Sequence, residues 1–356
     1  MKLAVIAYSA GNLGDDLFVE LVARRYPGAS INLISADEAA LGPLRGLAGL
    51  RCVDLATFQR ESDTYDALIV LGGSMFQQRP AWIRSWAAYA RRFYLARRAG
   101  IPIFVIGASF GPYTTSLYPL AFRQLFRGCA WISFRDSASA ELFEGIGSRW
   151  FADLAFAYDT SVIKSAPEVP DGPVGVSVME FGPDRQVAGY EAAVVGLIEE
   201  VSKNRRVKVL CFQEGGAISD SRAANRVLGA LGAETASKVQ ICNYADLGIE
   251  GLLNEMASCS LIVSTRFHAM VTAALLRKPV VAIGYHPKVR STVDALGLEI
   301  EVLEPDMLSA TAVVAAMSRS TAQGPIDVDG LATNANKHFE GLDRLNAAGL
   351  RREHGV

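Results

Sequence analysis

The chain has 356 residues, half of them hydrophobic, and its 35 basic and 37 acidic residues leave a formal net charge of −2. Because single hydrophobic cores stop growing at roughly 250–300 residues, two domains are expected, and the hydrophobic content excludes a largely disordered chain. The charge balance argues against a strong, non-specific nucleic-acid binder, which would carry a basic excess.

The N-terminal half opens with a short apolar run that we predict to be a buried strand, and similar runs alternate with helical patterns after it. Because these runs are continuously apolar, they favour a parallel sheet that is covered on both faces. The predicted strands are 2–8, 30–35, 67–71, 101–106 and 131–134, and the predicted helices are 16–25, 81–98 and 117–127.

A cluster of proline and glycine between residues 160 and 173 interrupts this pattern and is the predicted linker. Beyond it, strands are predicted over 174–179, 207–211, 239–242, 261–264, 279–283 and 299–303, and helices over 190–203, 221–231, 249–257, 268–277 and 291–296. We therefore expect an α/β protein with two doubly wound, Rossmann-like domains, over 1–165 and 170–305, and a helical C-terminal tail over 306–356.

Location and redox state are inferred from patterns that the sequence lacks. The stretch from Met1 to Ala10 is explained better by a buried first strand than by a signal peptide. No apolar run approaches the roughly 18–20 residues of a membrane helix, so we expect a cytoplasmic protein without an integral membrane segment. Five widely spaced cysteines predict reduced thiols, and the histidines have no metal-ligand spacing, so no metal is expected. His338 and His354 are predicted to lie at the surface.

Glycine and polar residues collect directly after the predicted strands, where open parallel sheets bind their ligands. Glycines let the backbone approach a ligand closely, while arginine, histidine and lysine bind anions or move protons. In chain order, these segments are Gly11-Asn12-Leu13-Gly14-Asp15-Asp16, Gly72-Gly73-Ser74, Gly107 to Pro112, Arg135-Asp136, Thr265-Arg266-Phe267-His268 and Gly284-Tyr285-His286-Pro287-Lys288.

The turn that carries Arg266 and His268 is the sharpest candidate, because a strand ends and a helix begins there, with Ser264 or Thr265 as the expected cap. The first turn of a helix offers free N–H groups and the positive end of its dipole, which suits a phosphate. An arginine adds a bidentate positive charge, and a histidine acts as an acid or a base near neutral pH. The structural alternative is a salt-bridged arginine and a capping histidine.

The remaining candidates also have structural alternatives. Arg135 either points towards a ligand or forms an ion pair with Asp136 at the end of its strand. Lys288 is either a ligand group or a solvated lysine. The Gly11-x-x-Gly14 loop either contacts a sugar or nucleotide, or forms an ordinary strand-to-helix turn in which a following aspartate caps the helix.

Taken in order over about residues 3 to 300, these segments resemble the polysaccharide pyruvyl transferase family. The matching pieces are Gly11 to Asp15, Gly72-Gly73, Ser109-Phe110-Gly111-Pro112, Arg135-Asp136, Asp153 with Ala155-Phe156, Thr265 to Ala269, Lys278 to Ile283, Tyr285-x-Pro287-Lys288 and Leu296-Gly297-Leu298. Two positions depart from the family pattern: His286 stands where many members carry an acid, and Phe267 stands where leucine is common.

The resemblance implies a fold like that of the two-domain GT-B glycosyltransferases, and neither a metal nor an organic cofactor. It implies transfer of the pyruvyl group of phosphoenolpyruvate onto two hydroxyls of a sugar, which gives a cyclic ketal and releases phosphate. The acceptor would belong to a lipid-linked or nucleotide-linked precursor of an exopolysaccharide or cell-envelope glycan. A peripheral association with the inner face of the membrane and a homo-oligomeric state stay open, although no amphipathic anchor is evident in the sequence.

The resemblance also implies roles for individual residues. His268 is the candidate general acid, with Arg266 as the second catalytic residue. Phosphoenolpyruvate would be bound by Arg135 from the first domain and by Arg266, His268 and Lys288 from the second, in the cleft between an acceptor-side and a donor-side domain. The general base is not identified. The residues assigned to the sugar acceptor are Gly11, Asn12, Asp15, Gly73, Ser109 and Tyr285.

Two other functions fit the same fold. A GT-B glycosyltransferase that uses a nucleotide sugar would need groups for a nucleobase, a ribose and a diphosphate in its second domain, where Glu214 is the acidic candidate for the ribose. A non-catalytic two-domain binding protein is the other alternative. Such proteins are often exported, so the lack of an evident signal peptide counts against it.

Overall fold

The short apolar runs of the sequence form two parallel β-sheets in the computed structural model, each within its own unit. The structure describes residues 1–8, 11–34, 38–164, 172–182, 189–215, 218–304 and 308–353. Unit 1 is formed by the described residues of Met1–Ser9, Asp15–Tyr158 and Gly330–Val356, and unit 2 by those of Ala10–Gly14 and Asp159–Asp329.

The sheet of unit 1 is parallel throughout, and its strand order reverses beside the first strand. Its strands are β1 Lys2–Ala7, β2 Ser30–Ile34, β3 Leu50–Val53, β4 Ala67–Leu71, β5 Ile103–Ala108, β6 Trp131–Phe134 and β7 Arg149–Trp150. They lie in the order β3-β2-β1-β4-β5-β6-β7, so that Leu3 of β1 pairs with Ile31 on one side and with Ala67 on the other. A doubly wound sheet has this order, and its ligands bind beyond the carboxyl ends of the strands at the reversal.

Helices connect these strands and bury their apolar sides. They are α1 Leu13–Arg25, whose first two residues group with unit 2, α2 Leu55–Arg60, α3 Trp82–Arg98, α4 Leu117–Phe126 and α5 Ser137–Leu142. The core beneath α3 and α4 is aromatic, because Phe93, Phe122 and Phe126 are buried together and Trp86 packs against the same cluster. Large rings of this kind contribute much of the apolar area that a small core can bury.

Unit 2 repeats the doubly wound plan. Its strands are β8 Val174–Ser177, β9 Val207–Cys211, β10 Val239–Asn243, β11 Leu261–Ser264, β12 Val280–Ile283 and β13 Glu301–Leu303. They are parallel in the order β10-β9-β8-β11-β12-β13, so the reversal falls between β8 and β11, where Ser177 lies opposite Ser264. The helices are α6 Tyr190–Val201, α7 Asp220–Ala230, α8 Ala233–Ala236, α9 Tyr244–Ala257, α10 Phe267–Leu275, α11 Pro287–Leu296 and α12 Ala310–Gln323.

The C-terminal segment belongs to unit 1 and consists of α13 Leu331–Asn336, a turn over Lys337–Phe339 and α14 Glu340–Glu353. His338 is completely buried there, so the prediction that it lies at the surface is wrong. Its ring nitrogens Nδ1 and Nε2 lie 2.8 Å from Ser133 Oγ and 2.9 Å from the carbonyl oxygen of Ala152. His354, the other predicted surface histidine, lies outside the described residues.

The predicted fold class is confirmed: an α/β chain with two doubly wound sheets and a helical C-terminal tail. The strands β3 and β7 were not predicted, because they are partly exposed and are not continuous apolar runs. The helices α2, α5 and α8 were not predicted, because four to six residues are less than two helical turns and show no period. Half of the predicted linker, residues 165–171, lies outside the described residues. No helix in the described ranges is both long and apolar enough to cross a membrane.

Candidate functional site

The turn after β11 lies at the strand reversal of unit 2. Arg266 occupies the N-cap position of α10, with extended backbone angles, and no side chain caps this helix. The expectation that Ser264 or Thr265 would cap α10 is therefore wrong. Instead, the Ser264 hydroxyl donates to the carbonyl oxygen of Arg266 at 2.7 Å, and the Arg266 N–H donates to Ser177 Oγ at 3.3 Å.

The guanidinium of Arg266 is buried and held by a carboxylate and an amide. Its Nε donates to Asp220 at 3.0 Å, a terminal nitrogen donates to the other oxygen of Asp220, and the second terminal nitrogen donates to Gln213 Oε1 at 2.8 Å. Burial by itself would lower the pKa of Arg266, but the Asp220 carboxylate raises it above its ordinary value, so the charge persists. Arg266 thus forms the salt bridge expected as an alternative to a role in ligand binding. The same bonds hold its positive charge in a fixed position.

Asp220 connects three loops at the carboxyl edge of this sheet. Besides Arg266, it accepts hydrogen bonds at 3.1 Å from the backbone N–H groups of Glu180, Phe212 and Gln213, and it is completely inaccessible to solvent. Burial raises the pKa of Asp220, while the Arg266 charge and the backbone donors oppose that effect. Asp220 therefore fixes the ends of β8, β9 and β11 relative to one another.

The ring of His268 lies against the backbone of Gly14. A β-carbon built on Gly14 would stand 1.8 Å from His268 Nδ1, so a larger residue at position 14 would force the ring to move. Both residues belong to unit 2. His268 is partly exposed, and its ring makes an edge contact with the ring of Phe267 at 5.3 Å between centroids.

The glycine loop after β1 pairs with the loop after β9. Asn12 and Gln213 form an antiparallel bridge, Asn12 Nδ2 donates to Gln213 Oε1 at 3.3 Å, and the Glu214 N–H donates to the carbonyl oxygen of Gly11 at 2.9 Å. Gly11 has φ of +60°, and a β-carbon there would stand 2.1 Å from the carbonyl oxygen of Glu214. Gln213 thus links the predicted acceptor residue Asn12 to the predicted donor residue Arg266.

Lys288 lies in the first turn of α11, over the side chain that separates Arg266 from His268. Its Nζ stands 4.5 Å from the centroid of the Phe267 ring. His286 is the N-cap of α11, because its Nδ1 accepts the N–H of Lys288 at 3.1 Å. The ring of Phe267, where the family commonly has leucine, therefore supports a cation–π contact in addition to packing.

Tyr285, a predicted acceptor residue, follows β12 and contacts the ring of Phe181 at 5.8 Å between centroids. Phe181 in turn contacts Tyr190 at 5.0 Å, and the Tyr190 hydroxyl lies 3.0 Å from Thr265 Oγ1. Burial raises the pKa of Tyr190, so its phenol stays protonated. These aromatic side chains connect Tyr285 to the turn that carries Arg266.

A second polar cluster lies in unit 1, after β6. Arg135 is buried, and it donates to Asp153 at 2.8 Å and to Ser109 Oγ at 2.9 Å. Its expected partner Asp136 instead caps α5 by accepting the N–H of Ser139 at 2.8 Å. Arg135 is therefore ion-paired, but its partner is Asp153, which follows β7, and not the neighbouring Asp136.

The two predicted acceptor residues Gly73 and Asp15 contact each other in unit 1. Gly72 and Gly73 both have positive φ, and a β-carbon on Gly73 would stand 2.4 Å from Asp15 Oδ1. A β-carbon on Gly72 would stand 2.1 Å from the ring of Phe18 in α1. Only glycines fit this turn, because positive φ strains other residues and the helix leaves no space.

The structure thus forms two groups from the predicted site residues. Gly11, Asn12, Arg266, His268, Tyr285 and Lys288 lie in unit 2, and Asp15, Gly73, Ser109 and Arg135 lie in unit 1. The sequence prediction missed Asp220 and Gln213, the partners of Arg266, since no motif marks them and they are separated from it by 46 and 53 residues. Within the described ranges, no group of three or more histidine, cysteine or acidic side chains could hold a metal ion.

Known proteins match the chain at the levels of family and fold. Among solved structures it is similar to Anabaena HepE in complex with UDP and glucose, with a TM-score of 0.58, 14% identity and 100% of both chains covered. It is similar to UDP-GlcNAc 2-epimerase from Methanocaldococcus jannaschii, with a TM-score of 0.60, 10% identity, and 97% and 100% of the two chains covered. Identities this low show the fold alone, and they confirm the expected GT-B-like architecture. A family model described as polysaccharide pyruvyl transferase matches residues 12–287. Because that match covers most of the sequence, the chain belongs to the polysaccharide pyruvyl transferase family.

Proposed function

We propose that this protein transfers the pyruvyl group of phosphoenolpyruvate to two hydroxyls of one sugar, forming a cyclic ketal and releasing inorganic phosphate. The observation that carries the proposal is the turn with Arg266 and His268, which lies at the strand reversal of the unit 2 sheet in a chain of this family. A buried arginine with a fixed direction and a partly exposed histidine lie two residues apart there. The reaction requires the binding of an anion, for which arginine is suited, and the transfer of a proton, for which histidine is suited.

The proposed reaction needs one proton on carbon and the departure of one phosphate. Protonated His268 gives its proton to C3 of phosphoenolpyruvate, so C2 becomes electrophilic and the first sugar hydroxyl adds to it. The proton of that hydroxyl returns to the imidazole. The C2–O bond to phosphate then breaks, the second hydroxyl adds to C2, and its proton leaves with the phosphate as hydrogen phosphate. The carboxylate stays on the ketal carbon.

The donor is an anion at both ends, which is why the proposal assigns several cations to it. Arg266 has two N–H groups beyond the three bonds to Asp220 and Gln213 described above, and these can bind phosphate or carboxylate. Lys288 lies above Phe267 in the same unit and is the second proposed cation. Arg135, buried with Asp153 and Ser109 in unit 1, stays a proposed donor residue whose contribution the variants below test.

The proposal is tested with the purified protein, phosphoenolpyruvate and a panel of sugar acceptors, including lipid-linked and nucleotide-linked ones. We expect one acceptor to gain the mass of pyruvate minus water, with one phosphate released for each acceptor modified. Phosphate release without any change in acceptor mass would indicate hydrolysis and contradict the proposed transfer.

Variants then separate the roles of the two main residues. His268→Ala should abolish turnover while phosphoenolpyruvate still binds. Arg266→Ala should weaken donor binding by about 1.5–3 kcal/mol, the usual value of a hydrogen bond to a charged group. Arg135→Ala and Lys288→Met should weaken binding in the same direction, and exposed Arg344→Ala and Lys203→Met control for the loss of one positive charge. Thermal unfolding must accompany Arg135→Ala, because this variant removes the counter-charge of buried Asp153. A His268→Ala protein with near-normal turnover would rule out the acid assignment.

Glycosyl transfer from a nucleotide sugar is the alternative. Its acidic candidate for the ribose, Glu214, already accepts hydrogen bonds from the hydroxyls of Ser219 and Ser221, each at 2.6 Å, and from the N–H of Ser221 at 2.8 Å. Calorimetry distinguishes the two functions: binding of UDP without binding of phosphoenolpyruvate would favour the glycosyltransferase.

A further inference from the structure

The segment that contains α3 and α4 has a composition unlike that of the whole chain. From Ala67 to Arg135 the sequence has nine arginines and no aspartate, glutamate, lysine or histidine, although the formal net charge of the chain is −2. One of the nine, Arg135, is buried with Asp153 in the polar cluster described above. The other eight lie on or beside α3 and α4.

The two helices lie side by side and run in the same direction. Near their N-terminal ends the rings of Trp82 and Tyr118 meet edge to face at 5.3 Å. Near their C-terminal ends Arg97 donates to the carbonyl oxygen of Leu125 at 2.6 Å. Their inner sides cover the aromatic core of unit 1, so their outer sides form one continuous surface.

The outer sides of both helices carry exposed arginines. Arg84, Arg91, Arg98 and Arg127 are exposed on them. Arg91 donates to the side-chain amide of Gln59 at 3.1 Å, and Arg127 donates to that of Gln124 at 2.8 Å. In the described part of the chain, no carboxylate forms an ion pair with any of these four arginines.

Large apolar side chains are exposed at the N-terminal end of the same surface. Ile83 and Leu117 are each 64% accessible to solvent, Leu120 is 59% accessible, and Tyr113 of the preceding loop is 42% accessible. Because α3 follows β4 and α4 follows β5, this end lies at the carboxyl edge of the sheet, the edge that carries Gly73 and Ser109. We call this surface the arginine–aliphatic face; it comprises Ile83, Arg84, Arg91, Arg98, Tyr113, Leu117, Leu120 and Arg127.

We propose that the arginine–aliphatic face docks the protein onto an anionic phospholipid bilayer. Helices that lie in a membrane interface combine arginines with exposed aliphatic and aromatic side chains, which insert at the boundary between headgroups and acyl chains. Anionic headgroups supply the charge that the face lacks. Docking by this face lays α3 and α4 along the bilayer surface, so their N-terminal ends, at the carboxyl edge of the unit 1 sheet, lie beside the lipid. The inference does not require the pyruvyl-transfer proposal, but it suits an acceptor that is lipid-linked.

Two other partners fit the face less well. A nucleic acid would pair with the arginines but would not bury Ile83, Leu117 and Leu120. A second copy of the chain, related by a two-fold axis, would bring no carboxylate to these arginines, because the same patch occurs on both sides of such an interface and residues 67–135 contain no acidic residue. Charge complementarity and apolar burial are both satisfied by the anionic bilayer.

Vesicle sedimentation with the full-length protein tests the proposal. One set of vesicles is phosphatidylcholine alone, and the other contains equal parts of phosphatidylcholine and phosphatidylglycerol. We expect binding to the anionic vesicles that weakens as salt is added. Replacing Arg91, Arg98 and Arg127 by glutamine should weaken it about a hundredfold, because each arginine near an anionic surface contributes about fivefold.

A second variant and a matched control separate charge from apolar contact. Replacing Ile83, Leu117 and Leu120 by serine should weaken vesicle binding at least about tenfold, since the inserted side chains are lost. Replacing the exposed Arg290, Arg319 and Arg344 by glutamine changes the net charge equally and should leave binding within about twofold. Thermal unfolding confirms that each variant is folded.

Three outcomes would overturn the proposal. The first is absence of binding by the unmodified protein to anionic vesicles. The second is vesicle binding that the control triple variant weakens as much as the arginine triple variant does. The third is self-association, or binding to a DNA duplex, that depends on the face while vesicles are not bound, which would identify a different partner.

Discussion

At the scale of single residues, the candidate site depends on buried charge that is compensated. The guanidinium of Arg266 is buried and positively charged. Asp220, which is completely inaccessible to solvent, neutralises this charge and accepts two hydrogen bonds from the guanidinium. Removing one partner of such a pair leaves an uncompensated charge in a medium of low dielectric constant. An exposed pair costs little to break, because water replaces the missing partner.

Asp220→Ala is therefore expected to lower the free energy of unfolding by about 3–5 kcal/mol, because Arg266 loses its counter-charge. Breaking the exposed pair between Arg344 and Glu340 with Glu340→Ala should change it by no more than about 0.5 kcal/mol. Urea denaturation of both variants and the unmodified protein measures the difference. Equal small losses in the two variants would show that the buried pair does not support the fold.

Gly14 is expected to act as a positioning residue for His268. A β-carbon at position 14 would stand 1.8 Å from His268 Nδ1, so Gly14→Ala must displace the ring. Because a misplacement of about 1 Å can cost about a hundredfold in rate, kcat for pyruvyl transfer should fall by about that factor. The affinity for phosphoenolpyruvate should change little.

Gly229→Ala is the matched control for this prediction. Gly229 lies in α7 of the same unit, and a β-carbon there meets nothing within 4 Å. That variant should keep its kcat and gain a little stability, since alanine favours a helix over glycine by about 1 kcal/mol. Equal kcat values in the two variants would show that the ring position does not matter.

At the scale of elements, the C-terminal segment is attached to unit 1 by specific polar contacts. Asn334 of α13 accepts the N–H of Ala152 at 2.6 Å, and Asp343 of α14 binds Arg25 through both carboxylate oxygens. Gly341 lies where a β-carbon would stand 2.8 Å from the side chain of Trp131. Between these contacts, the ring of buried His338 lies within hydrogen-bond distance of Ser133 in β6 and of the carbonyl oxygen of Ala152. The C-terminal segment is therefore packed into unit 1.

The burial of His338 predicts a pH dependence of stability. Burial lowers the pKa of His338 from its ordinary value of 6.5 to about 4. Between these values the unfolded chain binds a proton and the folded chain does not, so its contribution is complete above the unfolded pKa and declines as the pH falls towards 4. From about pH 7 to pH 5 this residue alone should remove about 2 kcal/mol of unfolding free energy.

His338→Gln tests this prediction, because glutamine does not titrate. Denaturant unfolding of both proteins over the same pH range should show a shallower loss in the variant, even if the variant is less stable at every pH. His268→Gln serves as the comparison, since His268 is partly exposed and lies in unit 2. An unchanged slope in His338→Gln would mean that this histidine is not responsible.

At the scale of the whole molecule, the two units divide the chain unequally along the sequence. Unit 2 is complete at Asp329, whereas unit 1 needs the first strand and also the residues after Gly330. A chain truncated after Asp329 should therefore lose cooperative stability in unit 1 and keep it in unit 2. Hydrogen exchange should show lost protection in β5 and β6 and retained protection in β8 and β11. Equal loss in both sheets would contradict two separate units.

The prediction from sequence was most accurate where the information is local. Strands such as Ala67–Leu71, Trp131–Phe134, Val207–Cys211 and Leu261–Ser264 match their predicted bounds, because a fully buried parallel strand is a continuous apolar run. The turn with Arg266 and His268 was found by its position after such a strand. The cap of α10 and the burial of His338 were predicted wrongly, because both depend on neighbours that are distant in the chain.

The sequence alone determined the fold class, the family and the residues that follow each strand, because apolar periodicity and short ordered motifs are properties of neighbouring positions. The tertiary structure decided what those residues contact. It paired Arg266 with Asp220, set His268 against Gly14, joined Arg135 to Asp153 and returned the C-terminal segment to the first unit. It also placed the arginines of α3 and α4 on one exposed surface. Each of these facts depends on packing between residues that are far apart in sequence, and no local pattern encodes such a distance.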